Sequence, residues 1–328
     1  MADNRREKTA RRYSIFAERE AAGRSPLYEM LGHHIAADEA ILNFLSGLPE
    51  PKRQPNLLLG AVKYLFGAAT DWHHFRRLVA DHVDAVRDVM MQRSTQTNEA
   101  ARCATLLPVL MQLPQPLALL EVGASAGLCL LPDRYAYDYG GQILSPARHD
   151  DPPPVLPCVA DARVPIPQSL PEIVWRAGLD LNPIDVNDLD QCAWLEALVW
   201  PEQHERLARL RAAIAIARRE RPRIVRGNLL EDLAPLASQA PREATLVVFH
   251  SAVLAYVGPR DDRERFAREV RALNAVWISN ETPPVFPDIA AKTPAPPMPG
   301  NFLLAVNGEP VAWTDHHGAS INWLATTR

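Results

Sequence analysis

The chain has 328 residues, of which 47% are hydrophobic and 23% charged, so it can bury one large core or two modest ones and is neither collagenous nor disordered. Its formal net charge of -4 gives no global electrostatic reason to bind nucleic acid, and we expect a small-molecule partner instead. The four cysteines follow no Cys-x-x-Cys spacing, which predicts reduced, buried thiols rather than a zinc site or a disulfide framework.

The N-terminus is charged from Arg5 to Arg12 and is not followed by an apolar segment, and the sequence contains no long uncharged apolar span. We therefore expect a cytoplasmic protein without a membrane-spanning helix. Glu7 and Glu18 dilute the basic residues, which favours a solvated helix face over a phosphate-binding patch.

The first 113 residues contain only helical patterns. Ser25-Pro26 has the form of an N-cap followed by a first-turn proline, and Asp71 is suited to cap another helix. Apolar residues recur at three-to-four spacing from Trp72 to Met90, which predicts one amphipathic helix, and a shorter helix is predicted from Asn56 to Phe66. Residues 1–113 are therefore predicted to form an all-helical cap domain.

The segment Leu117–Leu128 predicts a strand, a tight turn of small residues and the start of a helix. In nucleotide-binding folds such a turn lets the backbone approach a ligand at a helix N-terminus. In α/β-hydrolases the same Gly-x-Ser-x-Gly letters expose a nucleophilic serine, here Ser125. A glycine turn with no function is the third alternative. Hydrolases have several strands before the nucleophile, whereas here the first convincing strand is the one that enters Gly123. This difference disfavours the hydrolase alternative.

Residues 140–171 are rich in proline and include the run Asp150-Asp151-Pro152-Pro153-Pro154, which predicts a surface insertion with a short hairpin near Val155–Val159. A short strand is predicted before it at Arg134–Tyr139. The apolar run Ile173–Asp180 then predicts a strand that ends in a carboxylate, as in nucleotide-binding units where this group accepts hydrogen bonds from ribose hydroxyls.

Strand and helix patterns alternate in the remainder of the chain. A helical pattern covers Ala193–Arg219, in which Pro201 is predicted to open a new helix. The other predicted elements are strands within Arg223–Asp232 and at Thr245–His250, Ala275–Glu281, Phe302–Val306 and Val311–Trp313, with a helix at Asp261–Leu273. This alternation predicts an α/β domain with a doubly wound, mostly parallel sheet over residues 114–328.

The order of these parts resembles the class I S-adenosylmethionine-dependent methyltransferases. Within that superfamily the chain resembles an uncharacterised bacterial family through the phrases LLEVGASAGL, GLDLNP, WPEQ and VVFHSAV. The resemblance covers nearly the whole chain. It implies a Rossmann-like methyltransferase sheet behind the helical cap, and S-adenosylmethionine as the cofactor.

The resemblance also implies roles for residues at the predicted turn. Glu121, Gly123, Ser125 and Gly127 match the pattern acidic-x-Gly-x-Gly-x-Gly, with Ser125 in place of the middle glycine. A serine there keeps the backbone accessible, although a positive φ would cost about 1 kcal/mol.

Three further positions lie where the resemblance implies contacts to the cofactor. Asp180 matches the acidic residue that binds ribose hydroxyls, and Asp138 takes that role if Arg134–Tyr139 is the second strand. Asn228 stands where the family has an aspartate whose side chain meets the adenine amino group. His250 follows the fourth strand, next to the expected cofactor.

His250 is the best-placed candidate for a catalytic base, with a purely structural histidine as the alternative. Tyr256 is a weaker candidate, and His316 could supply a base near the C-terminus. The His, Asp and Glu residues do not follow a metal-ligand spacing, so no metal is predicted.

Three functions remain open. The first is an S-adenosylmethionine-dependent methyltransferase that acts on an unidentified small molecule. The second is a non-catalytic binding or scaffold protein with the same fold. The third is a serine hydrolase with Ser125 as nucleophile and His250 or His316 as base.

Overall fold

The computed structural model describes residues 2–141, 143–147 and 152–325; Asp150 and Asp151 of the predicted insertion lie outside them. The chain divides into two compact units, Met1–Thr97 with Asp188–Ala208, and Asn98–Asn187 with Arg209–Arg328. Residues 98–113 belong to the second unit, whereas the sequence predicts a domain boundary after residue 113. That boundary stays a prediction.

Twelve α-helices occur in the described residues. In chain order they are α1 (Ala2–Ile15), α2 (Pro26–Ala37), α3 (Glu39–Ser46), α4 (Pro55–Phe66), α5 (Trp72–Asp81), α6 (Val83–Gln92), α7 (Arg102–Leu110), α8 (Leu189–Leu198), α9 (His204–Glu220), α10 (Leu233–Ala237), α11 (Arg260–Ala272) and α12 (Pro287–Ala290). None of the helices in this part of the chain combines the length and the apolarity needed to span a bilayer.

Eleven strands are assigned in the described part of the chain. They are β1 (Leu117–Val122), β2 (Ala136–Asp138), β3 (Val155–Pro157), β4 (Val159–Ala160), β5 (Ile173–Asp180), β6 (Arg223–Arg226), β7 (Thr245–Ser251), β8 (Val276–Glu281), β9 (Phe302–Val306), β10 (Glu309–Thr314) and β11 (Ser320–Trp323). Nine of them form one sheet in the order β4-β11-β10-β9-β8-β7-β1-β5-β6, and β2 and β3 form a separate pair.

Five neighbouring strands of the large sheet, β6, β5, β1, β7 and β8, run parallel. β9 pairs antiparallel with β8, β10 with β9 and β11 with β10, while β4 is parallel to β11. The prediction of an N-terminal helical region followed by a mostly parallel α/β sheet is thus confirmed. Every residue of β1 is buried, as a strand at the centre of a covered parallel sheet must be.

Two predicted helix starts are confirmed at the level of single hydrogen bonds. The Tyr28 N–H donates to Ser25 Oγ at 3.1 Å, and the His74 N–H donates to Asp71 Oδ1 at 2.8 Å, so both side chains satisfy an otherwise unpaired helix amide. The single helix predicted from Trp72 to Met90 is wrong, because His82 leaves the helical conformation and divides it into α5 and α6.

The predicted helix after the glycine turn is also wrong. The chain forms only short 3-10 turns, at Leu128–Leu130 and Pro132–Arg134. Pro132 explains this, since proline disfavours the α conformation of the residue before it and cannot donate a helical hydrogen bond. The turn after β1 therefore has no α-helix N-terminus behind it.

Three smaller predictions also fail, two of them because strand pairing is decided by distant residues. The hairpin near Val155–Val159 does not form, because β3 pairs with β2 and β4 pairs with β11. Pro201 does not open a helix; it lies in the turn before α9. The strand predicted at Arg134–Tyr139 shrinks to β2 and lies outside the large sheet.

The prediction of four reduced thiols is confirmed, since all four cysteines are unbridged and buried.

Candidate functional site

The predicted site residues meet at one edge of the sheet. Glu121 lies near the carboxyl end of β1 and Asp180 is the last residue of β5. Asn228 follows β6 by two residues, and His250 is the penultimate residue of β7. Because these four strands are parallel neighbours, their carboxyl ends share an edge, where open α/β sheets bind ligands.

The turn after β1 is built from residues in the left-handed conformation. Gly123, Ser125 and Gly127 have φ values of 71°, 48° and 68°. For Ser125 this conformation costs about 1 kcal/mol relative to glycine, and contacts made by the turn hold it there. The Ser125 N–H donates to Asp180 Oδ2 at 2.8 Å, so the carboxylate that ends β5 also fixes the turn after β1.

Asn98 is a second anchor of this turn, and sequence reasoning missed it. Its Nδ2 donates to Ser125 Oγ at 2.9 Å, and its Oδ1 accepts the Ala126 N–H at 3.0 Å. The residue stands in a short segment without apolar periodicity. Sequence alone therefore gives no signal that this amide reaches a turn almost thirty residues further along.

The backbone amides of the turn are all used by the protein itself. The N–H groups of Gly123 and Ala124 donate to Leu179 O, and that of Gly127 donates to Ala124 O. Those of Ser125 and Ala126 donate to the side chains of Asp180 and Asn98. The turn consequently offers no row of unpaired donors to a phosphate group.

Two of the glycines are required by packing. A Cβ on Gly123 would come within 2.2 Å of Val253 Cγ2, and one on Gly127 within 2.6 Å of Ile224 Cδ1. The loop after β7 and the edge strand β6 therefore approach the turn so closely that no larger side chain fits. These glycines would be needed here whether or not a ligand binds.

Asp180 retains capacity for a ligand. Its Oδ2 accepts the Ser125 N–H and its Oδ1 accepts the Asn182 N–H at 2.7 Å. A carboxylate has about four lone-pair positions, so each oxygen can accept one further hydrogen bond. The residue is half-buried. The alternative Asp138 ends β2, in the separate two-stranded sheet, and does not neighbour β1.

Glu121 is a carboxyl group in an unfavourable environment. Its side chain is 6% exposed, and its Oε2 has no hydrogen-bond partner among the described residues. Burial raises its pKa well above the usual range, and the charges of Cys129 and Asp180 act in the same direction, while the Arg102 guanidinium opposes them. A positively charged group beside Glu121 would stabilise its ionised form.

His250 is fully buried, and both of its ring nitrogens are engaged. The Trp277 indole N–H donates to Nε2 at 3.0 Å, so the imidazole proton must reside on Nδ1, which lies 2.8 Å from Glu281 Oε1. That same carboxylate oxygen accepts the N–H groups of Val253 and Leu254. The histidine thus links β7, β8 and the loop after β7, and this geometry favours the structural alternative over a base.

Asn228 and the weaker candidates have local roles. Asn228 Oδ1 accepts the Leu230 N–H at 2.9 Å, which shapes the turn after β6. His316 Nδ1 lies 3.3 Å from Asp315 Oδ2. Tyr256 is 78% exposed in the loop after β7. Within the described ranges no three His, Cys, Asp or Glu side chains are arranged to hold a metal ion.

Comparison with known proteins identifies the family. The chain belongs to the family described as "Uncharacterized protein conserved in bacteria (DUF2332)", which matches residues 10–323. No curated protein and no solved structure matches the chain significantly.

Proposed function

We propose that this protein is an S-adenosylmethionine-dependent methyltransferase for a small-molecule acceptor, with the cofactor at the carboxyl edge of β5, β1 and β7. The five parallel strands lie in the order β6-β5-β1-β7-β8. If these five alone are numbered as they occur along the chain, the order is 3-2-1-4-5, which is also the order in Rossmann-like folds. The order reverses between β1 and β7, and ligands of open α/β sheets bind at such a reversal.

The observation that carries the proposal is the pairing of Asp180 with the left-handed turn at Ser125. It brings a half-buried carboxylate, with one acceptor position left on each oxygen, next to a turn of small residues. A ribose diol, which presents two hydroxyl donors, fits that carboxylate. The residues present therefore suit the nucleoside part of the cofactor.

The same turn supports a nucleoside without phosphates over a dinucleotide. Phosphate sites at such turns use unpaired backbone amides and a helix N-terminus. Here the amides are occupied, and a 3-10 turn follows in place of an α-helix. The nearby carboxyl groups of Glu121 and Asp180 favour a cation, which matches a sulfonium compound.

S-adenosylmethionine, when bound, supplies an electrophilic methyl group. The protein holds the nucleoside through Asp180 and places the Glu121 carboxylate near the positive charge of the cofactor. It also keeps the reacting groups in line, and this alignment by itself contributes several kcal/mol to a transfer reaction. Because the His250 side chain is fully buried, we assign to it the role of positioning the loop after β7. An acceptor that ionises in solution requires no protein base.

Calorimetric titration with S-adenosylhomocysteine, S-adenosylmethionine and NAD tests the proposal. We expect micromolar binding of the first two and at least tenfold weaker binding of NAD. Asp180→Asn should weaken S-adenosylhomocysteine about tenfold or more, because a ribose hydroxyl loses an ionised acceptor. Asp185→Asn is the matched control, since exposed Asp185 accepts the Asn187 N–H in the same way that Asp180 accepts that of Asn182. Absence of S-adenosyl ligand binding to folded protein would refute the proposal.

A non-catalytic binding protein is the second candidate, and the burial of His250 is the observation that favours it. Both candidates predict binding, so transfer must be measured directly. Radiolabelled methyl transfer from S-adenosylmethionine into a small-molecule extract would decide for the enzyme. A cofactor complex that releases no label into any acceptor would decide for the binding protein.

The hydrolase alternative has the least support. The side-chain partner of the Ser125 hydroxyl is the amide of Asn98, whereas a nucleophilic serine needs a base within hydrogen-bond reach. Labelling by a fluorophosphonate probe that disappears in Ser125→Ala would favour this alternative.

A further inference from the structure

Two buried cysteines, Cys103 and Cys129, are in contact beside the turn after β1. Cys103 lies in the first turn of α7, and Cys129 lies in the 3-10 turn that follows Gly127. The Cys103 thiol donates to Cys129 O at 3.6 Å, and the side chains of the two residues are themselves hydrogen-bonded. We refer to Cys103 and Cys129 as the thiol pair.

The thiol pair takes part in the contacts that hold the turn. The Cys129 thiol donates to Glu99 O at 3.5 Å. Glu99 directly follows Asn98, whose side chain makes two hydrogen bonds to the turn after β1. Thiol hydrogen bonds are weak, yet these lie in the same short segment that anchors the turn. A change in the bonding of the thiol pair therefore acts on that anchor.

The two thiols differ in their tendency to ionise. Burial raises the pKa of Cys103 well above the usual range, so this thiol keeps its proton. At Cys129 the hydrogen bond with Cys103 lowers the pKa against the effect of burial, and the Arg102 guanidinium also lowers it. Cys129 is 8% exposed, whereas Cys103 is 0% exposed. Because the thiolate is the reactive form of cysteine, Cys129 is the member that reacts first with a small oxidant.

The other two cysteines are placed differently. Cys158 is buried, and burial raises the pKa of its thiol to about 12. Cys192 lies in α8, which belongs to the other compact unit. Cys158 therefore provides an internal control, since it is a buried thiol that stays protonated.

We propose that the thiol pair is a redox-sensitive site, which a peroxide converts to a disulfide that loosens the turn after β1. The Cys129 thiolate attacks one oxygen of hydrogen peroxide, the O–O bond breaks and hydroxide leaves, so that Cys129 becomes a sulfenic acid. The Cys103 sulfur then attacks the Cys129 sulfur, the S–O bond breaks, and the Cys103 proton leaves with the hydroxyl group as water. Overall, two thiols and one peroxide give one disulfide and two waters, and a dithiol reductant reverses the change.

The disulfide alters the packing of the turn. Its formation removes both thiol hydrogens, and with them the hydrogen bonds to Glu99 O and Cys129 O. It also replaces a hydrogen-bonded contact between the sulfurs by a shorter covalent bond of fixed geometry, so the backbone at Cys129 shifts toward α7. The two hydrogen bonds of Asn98 to the turn are then weakened. Weaker nucleoside binding by the oxidised protein is the consequence that rests on the proposed function.

Peptide mapping tests the oxidation directly. Trypsin cleaves after Arg102 and Arg134 and leaves both members of the thiol pair in one peptide, Cys103–Arg134. The protein is treated with hydrogen peroxide, its remaining thiols are alkylated in denaturant, and the digest is analysed by mass spectrometry. We expect this peptide to lose two hydrogen atoms and to escape alkylation, whereas Cys158 and Cys192 are alkylated. Treatment with dithiothreitol before alkylation should restore the alkylated peptide.

Cys129→Ala and Cys158→Ala are matched variants, because each replaces a buried thiol by a methyl group. Cys129→Ala lacks the reactive member, so Cys103 should still be alkylated after peroxide treatment. Cys158→Ala should form the disulfide as the wild type does. The mapping of the wild-type protein does not depend on the folding of either variant.

Two measurements follow the effect on the turn. Hydrogen exchange by NMR reports on the Ser125 and Ala126 amides, and we expect exchange at least about tenfold faster after oxidation, because the anchor that holds the turn is weakened. Calorimetric titration should show S-adenosylhomocysteine binding about tenfold weaker to oxidised wild type, the equivalent of roughly one lost hydrogen bond. Peroxide should produce the same loss in Cys158→Ala and no loss in Cys129→Ala.

The outcomes separate this inference from the proposed function. Alkylation of both cysteines in the Cys103–Arg134 peptide after peroxide treatment overturns the inference, and so does unchanged exchange of the turn amides in the oxidised protein. Equal affinity of the reduced and oxidised proteins for S-adenosylhomocysteine overturns the link from the thiol pair to the nucleoside site. If the disulfide forms and the amides exchange faster but neither form binds an S-adenosyl ligand, the redox inference stands and the proposed function fails.

Discussion

Glu121 is a buried carboxyl group whose ionisation opposes folding. Its pKa is raised by burial and by the charges of Cys129 and Asp180, against the effect of Arg102. The folded protein therefore binds a proton over a pH range in which the unfolded chain has lost it. Stability contributed by that proton is fully present below the ordinary glutamate pKa and is lost as the pH rises through the raised value.

Glu121→Gln should consequently stabilise the protein at high pH. The glutamine side chain is neutral at every pH, so we expect the free energy of unfolding of the variant to exceed that of the wild type near pH 8, where the raised pKa of Glu121 costs the wild-type protein stability. The difference should vanish near pH 4. Urea unfolding between pH 4 and pH 8 measures it, with exposed Glu172→Gln as the control. A difference that does not vary with pH would contradict the assignment.

Single residues also show where sequence reasoning stops. Asp180 could be predicted as the carboxylate that ends a strand, because it closes an apolar run and is followed by a proline turn, which is a local signal. Glu281 and Trp277, which engage both nitrogens of His250, lie about thirty residues from it. Whether a strand-end histidine is a base or a structural group depends on such partners. Sequence therefore left both alternatives open, and the structure favours one.

The turn after β1 depends on close packing between elements. Gly123 combines a φ of 71° with a Cβ position only 2.2 Å from Val253 Cγ2. Gly123→Ala should therefore lose about 1 kcal/mol from its conformation and about 1–3 kcal/mol from overpacking. Gly23 has a φ of 70° with nothing within 4 Å of its Cβ position, so Gly23→Ala should show the conformational loss alone.

A double-mutant cycle separates the two contributions. Val253→Ala removes both γ carbons that a Cβ on Gly123 would meet, so the double variant should be more stable than the sum of the single effects by about 1 kcal/mol or more. Gly23→Ala with Val253→Ala should be additive. Chemical unfolding of all five variants gives these energies. Additivity at Gly123 would show that the turn is not packed against the loop after β7.

At the scale of elements, local patterns predicted the parallel strands and several of the helices. β1, β5, β7 and β8 were recognisable as apolar runs, and α2 and α5 by their capping residues. β4 and β11 were missed because each is short and pairs across the chain. The helix expected after β1 failed at Pro132, a local signal that was present in the sequence and outweighed by the resemblance of the turn to a nucleotide-binding motif.

At the scale of the whole molecule, the helical unit is discontinuous in sequence. The helical unit is completed by residues 188–208, which follow β5 in the chain. Within that unit Trp194 of α8 is 2% exposed and donates through its indole N–H to Ser94 O at 3.0 Å. A Cβ on Gly60 of α4 would lie 2.9 Å from Leu198 Cδ2, so α8 packs closely on α4.

A fragment of residues 1–113 should therefore fail to fold cooperatively. Burying a tryptophan removes roughly 200 Å² from water, worth on the order of 5 kcal/mol at 25 cal/mol per Å², which is as large as the total stability of many small domains. Residues 1–97 joined to 188–208 by a glycine-serine linker should instead unfold in one cooperative transition, followed by circular dichroism. The same fusion with Trp194→Ala should lose that transition. Cooperative unfolding of the 1–113 fragment would show that the helical region is independent of α8.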